Sequence, residues 1–176
     1  TMLSLSVAKG KSPSVNAANR IPRNLYLLPG GVAEIYTSKP RRHAIVFKNR
    51  RGLIKLSIES GAYIIPTYVF GASDFFHNLT TNNNFQWLMT FSRRIRCCLS
   101  AFWGPFGLPI PFIPRLTMCA GKPIAPPTEW EGKSTGAPCP PELIEAMHAQ
   151  VLEEITRVFE KYKVVAGYPD GHLEVL

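Results

Sequence analysis

The sequence predicts an α/β domain in which a mixed, mostly parallel sheet is flanked by helices. An apolar segment at residues 43–47 is followed by a helical pattern at 50–60 and by a β-branched, aromatic segment at 62–70. A strand, a helix and a second strand at this spacing form a βαβ unit, which places its strands in parallel. The 176 residues, of which 45% are hydrophobic, suffice for one domain with a buried core.

Two residues refine this βαβ prediction. Gly61 directly follows the helical pattern and suits the left-handed conformation that often ends a helix. Pro66 lies inside the second predicted strand. Because proline has no amide hydrogen, Pro66 indicates a sheet edge, a bulge or a strand broken near that point.

The chain before this unit has two parts. Residues 1–23 are mixed and polar, and we expect an irregular N-terminal segment or insertion in which residues 2–8 could end a helix. Residues 24–28 form a continuous apolar run that stops at a Pro-Gly-Gly turn, which is typical of a buried strand. We therefore expect the domain to span residues 24–176.

The chain after this unit continues with helices and a further strand. An amphipathic pattern predicts a helix over residues 85–101, and residues 116–120 read as a fourth strand. A loop rich in Pro, Gly, Ser and Thr fills 123–141. The strongest helical pattern covers 141–162, where apolar residues recur close to the 3.6 period and Pro141 suits the first turn.

Positive charge is concentrated in the first part of the chain. Residues 1–100 carry 14 basic and 3 acidic side chains, whereas residues 101–176 carry 6 basic and 9 acidic ones. Residues 39–55 hold seven cations and no acid. Arg50 and Arg51 fall at a predicted helix start, where cations oppose the helix dipole, so they indicate an anionic ligand or else a solvated face. The residues between these cations are mostly aliphatic, which argues against nucleic-acid binding.

Several classes of protein are excluded by simple features. No unbroken apolar stretch of 18 residues occurs, so we expect no standard membrane-spanning helix. The first residues lack the apolar core of a signal peptide. The four cysteines show no C-x-x-C spacing, so we expect reduced thiols and no metal site.

The Pro-Gly-Gly turn is the first candidate for chemistry. Gly30 and Gly31 follow a predicted buried strand, and their backbone N–H groups could converge on a phosphate or an oxyanion without interference from Cβ atoms. Glu34 would lie one turn beyond the strand end, where ligands of parallel sheets bind. A tight turn with a solvated glutamate is the alternative.

Two further features leave their roles open. The aromatic and proline-rich segment at residues 102–112 could lie in a membrane interface or pack over the core of the domain. None of the histidines has a sequence context that makes it a convincing catalytic base.

A series of short motifs resembles the type-2 diacylglycerol acyltransferase family, which includes monoacylglycerol acyltransferases and wax synthases. The motifs are Leu28-Pro-Gly-Gly-Val-Ala-Glu34, Lys48-Asn-Arg-Arg-Gly-Leu53, Gly61-Ala62, Ile65-Pro-Thr-Tyr-Val-Phe-Gly71, Trp103-Gly104, Pro109, Gly121-Lys-Pro-Ile124, His148, Leu152, Phe159, Lys161-Tyr-Lys163 and Gly167. Their order and spacing carry the resemblance, which covers residues 24–176.

The resemblance implies a glycerophosphate-acyltransferase-like fold and an enzyme of neutral lipid synthesis. Such an enzyme transfers an acyl group from acyl-CoA, its co-substrate, to diacylglycerol or a related lipid alcohol, and needs no cofactor. It implies a location on the cytosolic face of the endoplasmic reticulum membrane and at lipid droplets.

The family's functional blocks map onto three groups of residues. Glu34 would support catalysis, and the substrate-binding positions would be Gly30, Gly31, Asn49, Arg50, Arg51, Gly52, Pro66 and Gly71. The second block, Asn49 to Gly52, would form a cationic site for the phosphates of CoA.

One departure from the family pattern bears on activity. The family's catalytic histidine lies in a His-Pro-His-Gly motif before the Pro-Gly-Gly block, and this sequence has no such motif and no histidine before His43. We therefore expect a partial acyltransferase domain that lacks its N-terminal part and has little or no activity alone. A non-catalytic module that binds a membrane surface through its basic face is the alternative.

Overall fold

The computed structural model describes residues 2–9, 24–78, 86–95, 102–127 and 139–176, and these form a mixed α/β arrangement. The strands are β1 (Met2–Lys9), β2 (Asn24–Leu27), β3 (His43–Ile45), β4 (Ala62–Phe70), β5 (His77–Asn78), β6 (Phe102–Trp103), β7 (Thr117–Ala120) and β8 (Leu173–Val175). The helices are α1 (Val32–Thr37), α2 (Arg51–Ser60), α3 (Gln86–Ile95) and α4 (Pro141–Tyr162), with short 3-10 helices at Ala72–Asp74 and Pro105–Gly107.

The main sheet has the strand order β2-β1-β4-β7, and its neighbouring strands pair antiparallel. β3 pairs in parallel with β8, and β5 pairs antiparallel with β6. The α/β class is thus confirmed, whereas the mostly parallel sheet is not. The two strands of the predicted βαβ unit, β3 and β4, do not pair with each other because β1 and β7 occupy the two edges of β4.

The predicted helix end at residues 2–8 is wrong, because these residues belong to the strand β1. β1 pairs along its whole length with β4, from Met2 opposite Val69 to Lys9 opposite Ala62. The sequence alternates Leu3, Leu5 and Val7 with small residues, which is the period-2 pattern of a strand. The division of the chain at residue 24 stays a prediction.

The core lies between β4 and the helices α2 and α4. Ile54 and Ile58 of α2, Tyr68 and Phe70 of β4, and Phe159 of α4 are among its buried side chains. The helices predicted at 50–60 and 141–162 are confirmed within one residue as α2 and α4, because their apolar period and their end signals are local. α2 ends at Gly61, whose φ of 62° is left-handed and whose N–H returns to the carbonyls of Ser57 and Ile58.

Pro66 lies in a central strand and faces a bulge. Its carbonyl accepts a hydrogen bond from the amide of Gly121 at 2.7 Å. The N and O atoms of one residue in an antiparallel strand point to the same neighbour, so the proline nitrogen, which carries no hydrogen, also faces the β7 side. On that side the pairing register shifts by one residue between Thr67 opposite Ala120 and Ile64 opposite Ile124. The extra residue relieves the ladder where proline cannot donate.

The remaining predicted elements are found in shortened form. α3 covers the first part of the helix predicted at 85–101, and residues 96–101 lie outside the described residues. The predicted strand at 116–120 is β7, and residues 128–138 of the predicted loop are also outside the described part. Among the described helices, none combines the length and the apolar character that crossing a membrane requires.

Candidate functional site

A surface cavity of about 360 Å³ lies where the end of β2 meets the start of α2. Its lining residues are Leu27, Leu28, Pro29, Asn49, Arg50, Gly52 and Leu53. The structure therefore brings together the segment that leads into the Pro-Gly-Gly turn and the block from Asn49 to Gly52. The cavity thus contains residues of the second predicted block and the residues just before Gly30 and Gly31 of the first.

Glu34 of α1 connects the Pro-Gly-Gly turn to the backbone just after the strand β3. Its side chain is buried, with 5% of the residue exposed, and its Oε1 accepts a hydrogen bond from the amide of Val46 at 3.1 Å. A Cβ atom at Gly30 would overlap the Glu34 carboxyl group, so glycine leaves the space that this carboxylate fills. Gly31 has a φ of 55° and precedes α1. The alternative of a solvated glutamate is therefore wrong, since the carboxylate is buried and hydrogen-bonded.

The adjacent arginines Arg50 and Arg51 have different surroundings. Arg50 is exposed and lines the cavity, and its guanidinium has no hydrogen bond or ion pair within the described part of the chain. Arg51 makes a bidentate ion pair with Glu145 of α4 and also donates to the carbonyl of Lys48. The hydrogen bond with Arg51 lowers the pKa of the Glu145 carboxyl group. Arg50 is thus the cation that an anion in the cavity could use, whereas Arg51 already has its carboxylate.

The start of α2 adds partial positive charge to the same place. Arg50 is the residue before the helix, its side chain makes no capping hydrogen bond, and the first turn of α2 carries no acid. Free N–H groups and the helix dipole favour an anion beside such a helix end. The cavity therefore combines a cationic side chain with a helix start that opens onto it.

Pro66 and Gly71 do not line this cavity. Gly71 follows β4 with a φ of 84°, and a Cβ atom there would lie 2.5 Å from the backbone oxygen of Arg115. This contact gives Gly71 a packing role between β4 and the segment before β7. Among the predicted substrate-binding residues, Asn49, Arg50 and Gly52 line the cavity, while Gly30 and Gly31 follow its lining residue Pro29 in the chain.

The apolar lining was not predicted as part of a site. Leu27 and Leu28 read as core positions of a buried strand, yet β2 is an edge strand of the sheet and Leu28 is exposed. Leu53 lies one turn into α2 and reads as part of its apolar face. Leu28 and Leu53 are the end residues of two of the quoted motifs, and this position was a signal that could have identified them.

None of the four histidines lines the cavity. His43 is 2% exposed, its Nδ1 lies 3.1 Å from the Tyr68 hydroxyl, and its Nε2 has no hydrogen-bond partner in the described part of the chain. Burial lowers the pKa of His43. His148 is also buried and its Nε2 lies 3.0 Å from the carbonyl oxygen of Phe47. The general base expected for acyl transfer is therefore not among the residues that line the cavity.

The described residues contain no cluster of three or more His, Cys, Asp or Glu side chains that could hold a metal ion. Cys119 and Cys139 are buried free thiols, and burial raises the pKa of both.

Comparison with known proteins assigns residues 6–176 to a family model described as diacylglycerol acyltransferase. Diacylglycerol O-acyltransferase 2 of Mus musculus is 27% identical over 156 residues, which are 83% of this chain and 38% of that protein. The 2-acylglycerol O-acyltransferase 3 of Homo sapiens is 27% identical over 153 residues, 81% of this chain and 42% of that protein. Diacylglycerol O-acyltransferase 2B of Umbelopsis ramanniana is 27% identical over 150 residues, 80% of this chain and 42% of that protein.

The chain therefore spans about two fifths of the length of the curated relatives it matches. No solved structure matches it significantly. The family match begins within β1, earlier than the resemblance placed by the sequence motifs.

Proposed function

The chain belongs to the diacylglycerol acyltransferase family, and from this membership we propose that it serves acyl-CoA-dependent acyl transfer to the hydroxyl group of a neutral lipid. Diacylglycerol is the proposed acceptor and triacylglycerol the proposed product, since relatives carry the name diacylglycerol O-acyltransferase. Acyl-CoA is the co-substrate, and no cofactor is proposed. The proposed location is the cytosolic face of the endoplasmic reticulum membrane and lipid droplets, as the family resemblance implies.

The cavity between β2 and α2 carries this proposal. CoA bears several phosphate charges, and Arg50 offers a guanidinium that has no partner among the described residues and can bind a phosphate through two hydrogen bonds. Leu28 and Leu53 supply apolar surface on the same walls, which suits the less polar arm that joins the CoA phosphates to the thioester. One small site thus offers both kinds of contact that this donor requires.

In the proposed reaction a general base removes the proton of the acceptor hydroxyl while its oxygen attacks the thioester carbonyl. The tetrahedral intermediate then collapses with CoA thiolate as the leaving group. We propose that backbone N–H groups near Gly30 and Gly31 help to stabilise the oxyanion, and that the buried carboxylate of Glu34 holds this turn against β3. The base would come from a His-Pro-His-Gly motif outside residues 1–176.

The binding half of this proposal can be tested on the chain itself. Isothermal titration of residues 1–176 with CoA should show binding that Arg50→Ala weakens about tenfold, the loss expected for one charge-assisted pair. Lys55→Ala is the matched control, because Lys55 is an exposed cation on α2 that pairs with Glu59 and does not line the cavity. Equal affinity of the wild type and Arg50→Ala would remove CoA from this cavity.

The catalytic half makes a separate prediction for the same purified chain. With labelled acyl-CoA and diacylglycerol, residues 1–176 should form little or no triacylglycerol because the proposed general base is not among them. Robust transfer would contradict the assignment of the base to a motif outside these residues.

A second candidate function, docking to a membrane surface, is favoured by the exposure of apolar side chains. Phe106 is 98% exposed and Ile113 is fully exposed. On α3, Trp87, Phe91 and Ile95 recur every fourth residue and are exposed as well. Aromatic side chains of this kind bind at the level of lipid headgroups.

Vesicle flotation tests this second candidate. The double variant Phe106→Ser/Ile113→Ser should float less with phosphatidylcholine vesicles that contain phosphatidylserine than the wild type does. Leu56→Ser is the matched control, because Leu56 is an exposed leucine on α2. Unchanged flotation of the double variant would contradict a role of Phe106 and Ile113 in membrane docking. Arg50→Ala should weaken CoA binding and leave the flotation unchanged.

A further inference from the structure

We propose that His148 is a positioning residue for the candidate site, because it holds the turn at residues 47–50 that presents Asn49 and Arg50 to the cavity. This inference rests on the proposed function, in which Arg50 binds the anionic part of acyl-CoA. His148 itself does not line the cavity, so it acts through the turn and not on the substrate.

The contact between His148 and the turn is buried and specific. His148 lies on α4 with 4% of its surface exposed, and its Nε2 donates a hydrogen bond to the carbonyl oxygen of Phe47 at 3.0 Å. The two rings stack, with centroids 4.9 Å apart and planes inclined by 4°. Because Phe47 is fully buried, this carbonyl depends on the protein for its hydrogen bonds.

The same carbonyl closes the turn. The amide of Arg50 donates to the Phe47 oxygen at 2.9 Å, so His148 and Arg50 share one acceptor. Arg50 is also the residue that precedes α2. Displacement of the Phe47 carbonyl therefore moves the Arg50 backbone and the start of α2 together, and both face the cavity.

The turn has further attachments that limit the effect of losing His148. The amides of Phe47 and Lys48 both donate to the carbonyl oxygen of Leu176, at 3.1 and 3.0 Å. Glu145, three residues before His148 on α4, pairs with Arg51 in the first turn of α2. Replacement of His148 should thus change the orientation of the turn while these contacts keep it attached to the domain.

The test compares CoA binding by the wild type and two His148 variants of residues 1–176. His148→Phe keeps an aromatic ring for stacking on Phe47 and removes the hydrogen-bond donor. CoA affinity should therefore fall about fivefold, which is less than the loss expected when the Arg50 side chain itself is removed. His148→Gln retains an N–H donor and should recover most of that affinity. His172→Phe is the control, because His172 is exposed. Hydrogen exchange of the Arg50 amide should be faster in His148→Phe than in the wild type.

The outcomes separate this inference from the proposed function. If the wild type binds CoA and His148→Phe binds equally well with unchanged exchange at Arg50, the positioning role is overturned and the donor site stands. If the wild type does not bind CoA, the donor site fails, and the exchange rate of the Arg50 amide alone decides whether His148 holds the turn. Should His148→Phe fail to fold, His148→Met replaces it with the same expected losses, and wild-type affinity in that variant overturns the inference.

Discussion

The basic segment at residues 39–55 has a better buried set of apolar side chains than the apolar segment at residues 102–118. Within residues 39–55, Ile45, Phe47 and Ile54 are fully buried although seven cations surround them in the sequence. In residues 102–118, the side chains of Phe106 and Ile113 are almost wholly exposed.

The difference shows that periodicity and backbone pairing decide which side chains are buried, whereas the apolar content of a segment does not. The basic segment contains β3 and the first half of α2, whose regular spacing turns the apolar side chains inward and leaves the cations at the surface. The apolar segment contains four prolines and only short regular elements. Apart from β6, which pairs with β5, the segment joins a sheet only at Thr117, and side chains between these two strands, such as Phe106 and Ile113, stay exposed.

The largest expected effect tests this comparison directly. Ile54→Ala in the basic segment should lower the free energy of unfolding by about 2–4 kcal/mol, because it leaves a cavity in the core. Ile113→Ala in the apolar segment should change it by less than about 0.5 kcal/mol. Urea denaturation of both variants measures the difference. Similar losses would show that residues 102–118 are packed against the core after all.

A second prediction concerns the anchor of the apolar segment. Gly71→Ala should lower the free energy of unfolding by about 2 kcal/mol, because the new methyl group meets the Arg115 carbonyl and φ is 84°. Gly61→Ala, at a φ of 62° with open space around it, is the matched control and should lose about 1 kcal/mol. Thermal denaturation compares the two variants. An equal loss in both would mean that the contact with Arg115 contributes nothing.

The sequence was sufficient for α2 and α4 because their signals are local, whereas the short helix α1 was not predicted. The apolar period of α4, Pro141 at its start and Gly61 after α2 lie within the elements that they define. The pairing of the sheet could not be read in the same way. β4 finds its partners in β1 and β7, and nothing within β4 itself specifies which distant strands will occupy its edges.

In the candidate site as well, features with a local signal could be predicted, and contacts between distant residues could not. Asn49, Arg50 and Gly52 were predicted because they form one compact motif, and they line the cavity. The ion pair that occupies the Arg51 guanidinium is formed with Glu145, which lies 94 residues further along the chain. The bond from His148 to the 47–50 turn spans 101 residues. Contacts across such separations depend on how α2 and α4 pack, and no local pattern reports that packing.

A third prediction concerns His43, the titratable residue buried within the basic segment. Burial is the largest cause that lowers the pKa of His43. The charge of Asp74 raises this pKa, and the charge of Arg41 lowers it further. Tyr68 and Tyr168 also face its ring. The unfolded chain, with a pKa of 6.5 at this residue, binds the proton more readily than the folded one. The free energy of unfolding should therefore be highest, as far as His43 is concerned, above pH 6.5, and it should decrease as the pH is lowered through that value.

Urea denaturation at pH 7.5 and pH 5.5 measures this effect. The loss of stability between the two pH values should be smaller in His43→Phe than in the wild type, because phenylalanine has no proton to bind. His172→Phe, at an exposed position, should retain the wild-type loss. An identical pH dependence in His43→Phe and the wild type would show that the buried imidazole is not the group that titrates.

The smallest expected effect concerns the charges of the basic segment. The ion pair between Arg51 and Glu145 is exposed to solvent on both sides, where water and salt screen it. Arg51→Met and Glu145→Gln should each shift the urea midpoint far less than Ile54→Ala does, and the double variant should match the sum of the single ones within error. Raising the salt concentration should remove any residual coupling between them. A coupling that persists in high salt and rivals the loss in Ile54→Ala would reverse the comparison, because the segment would then owe its place in the fold to its charges.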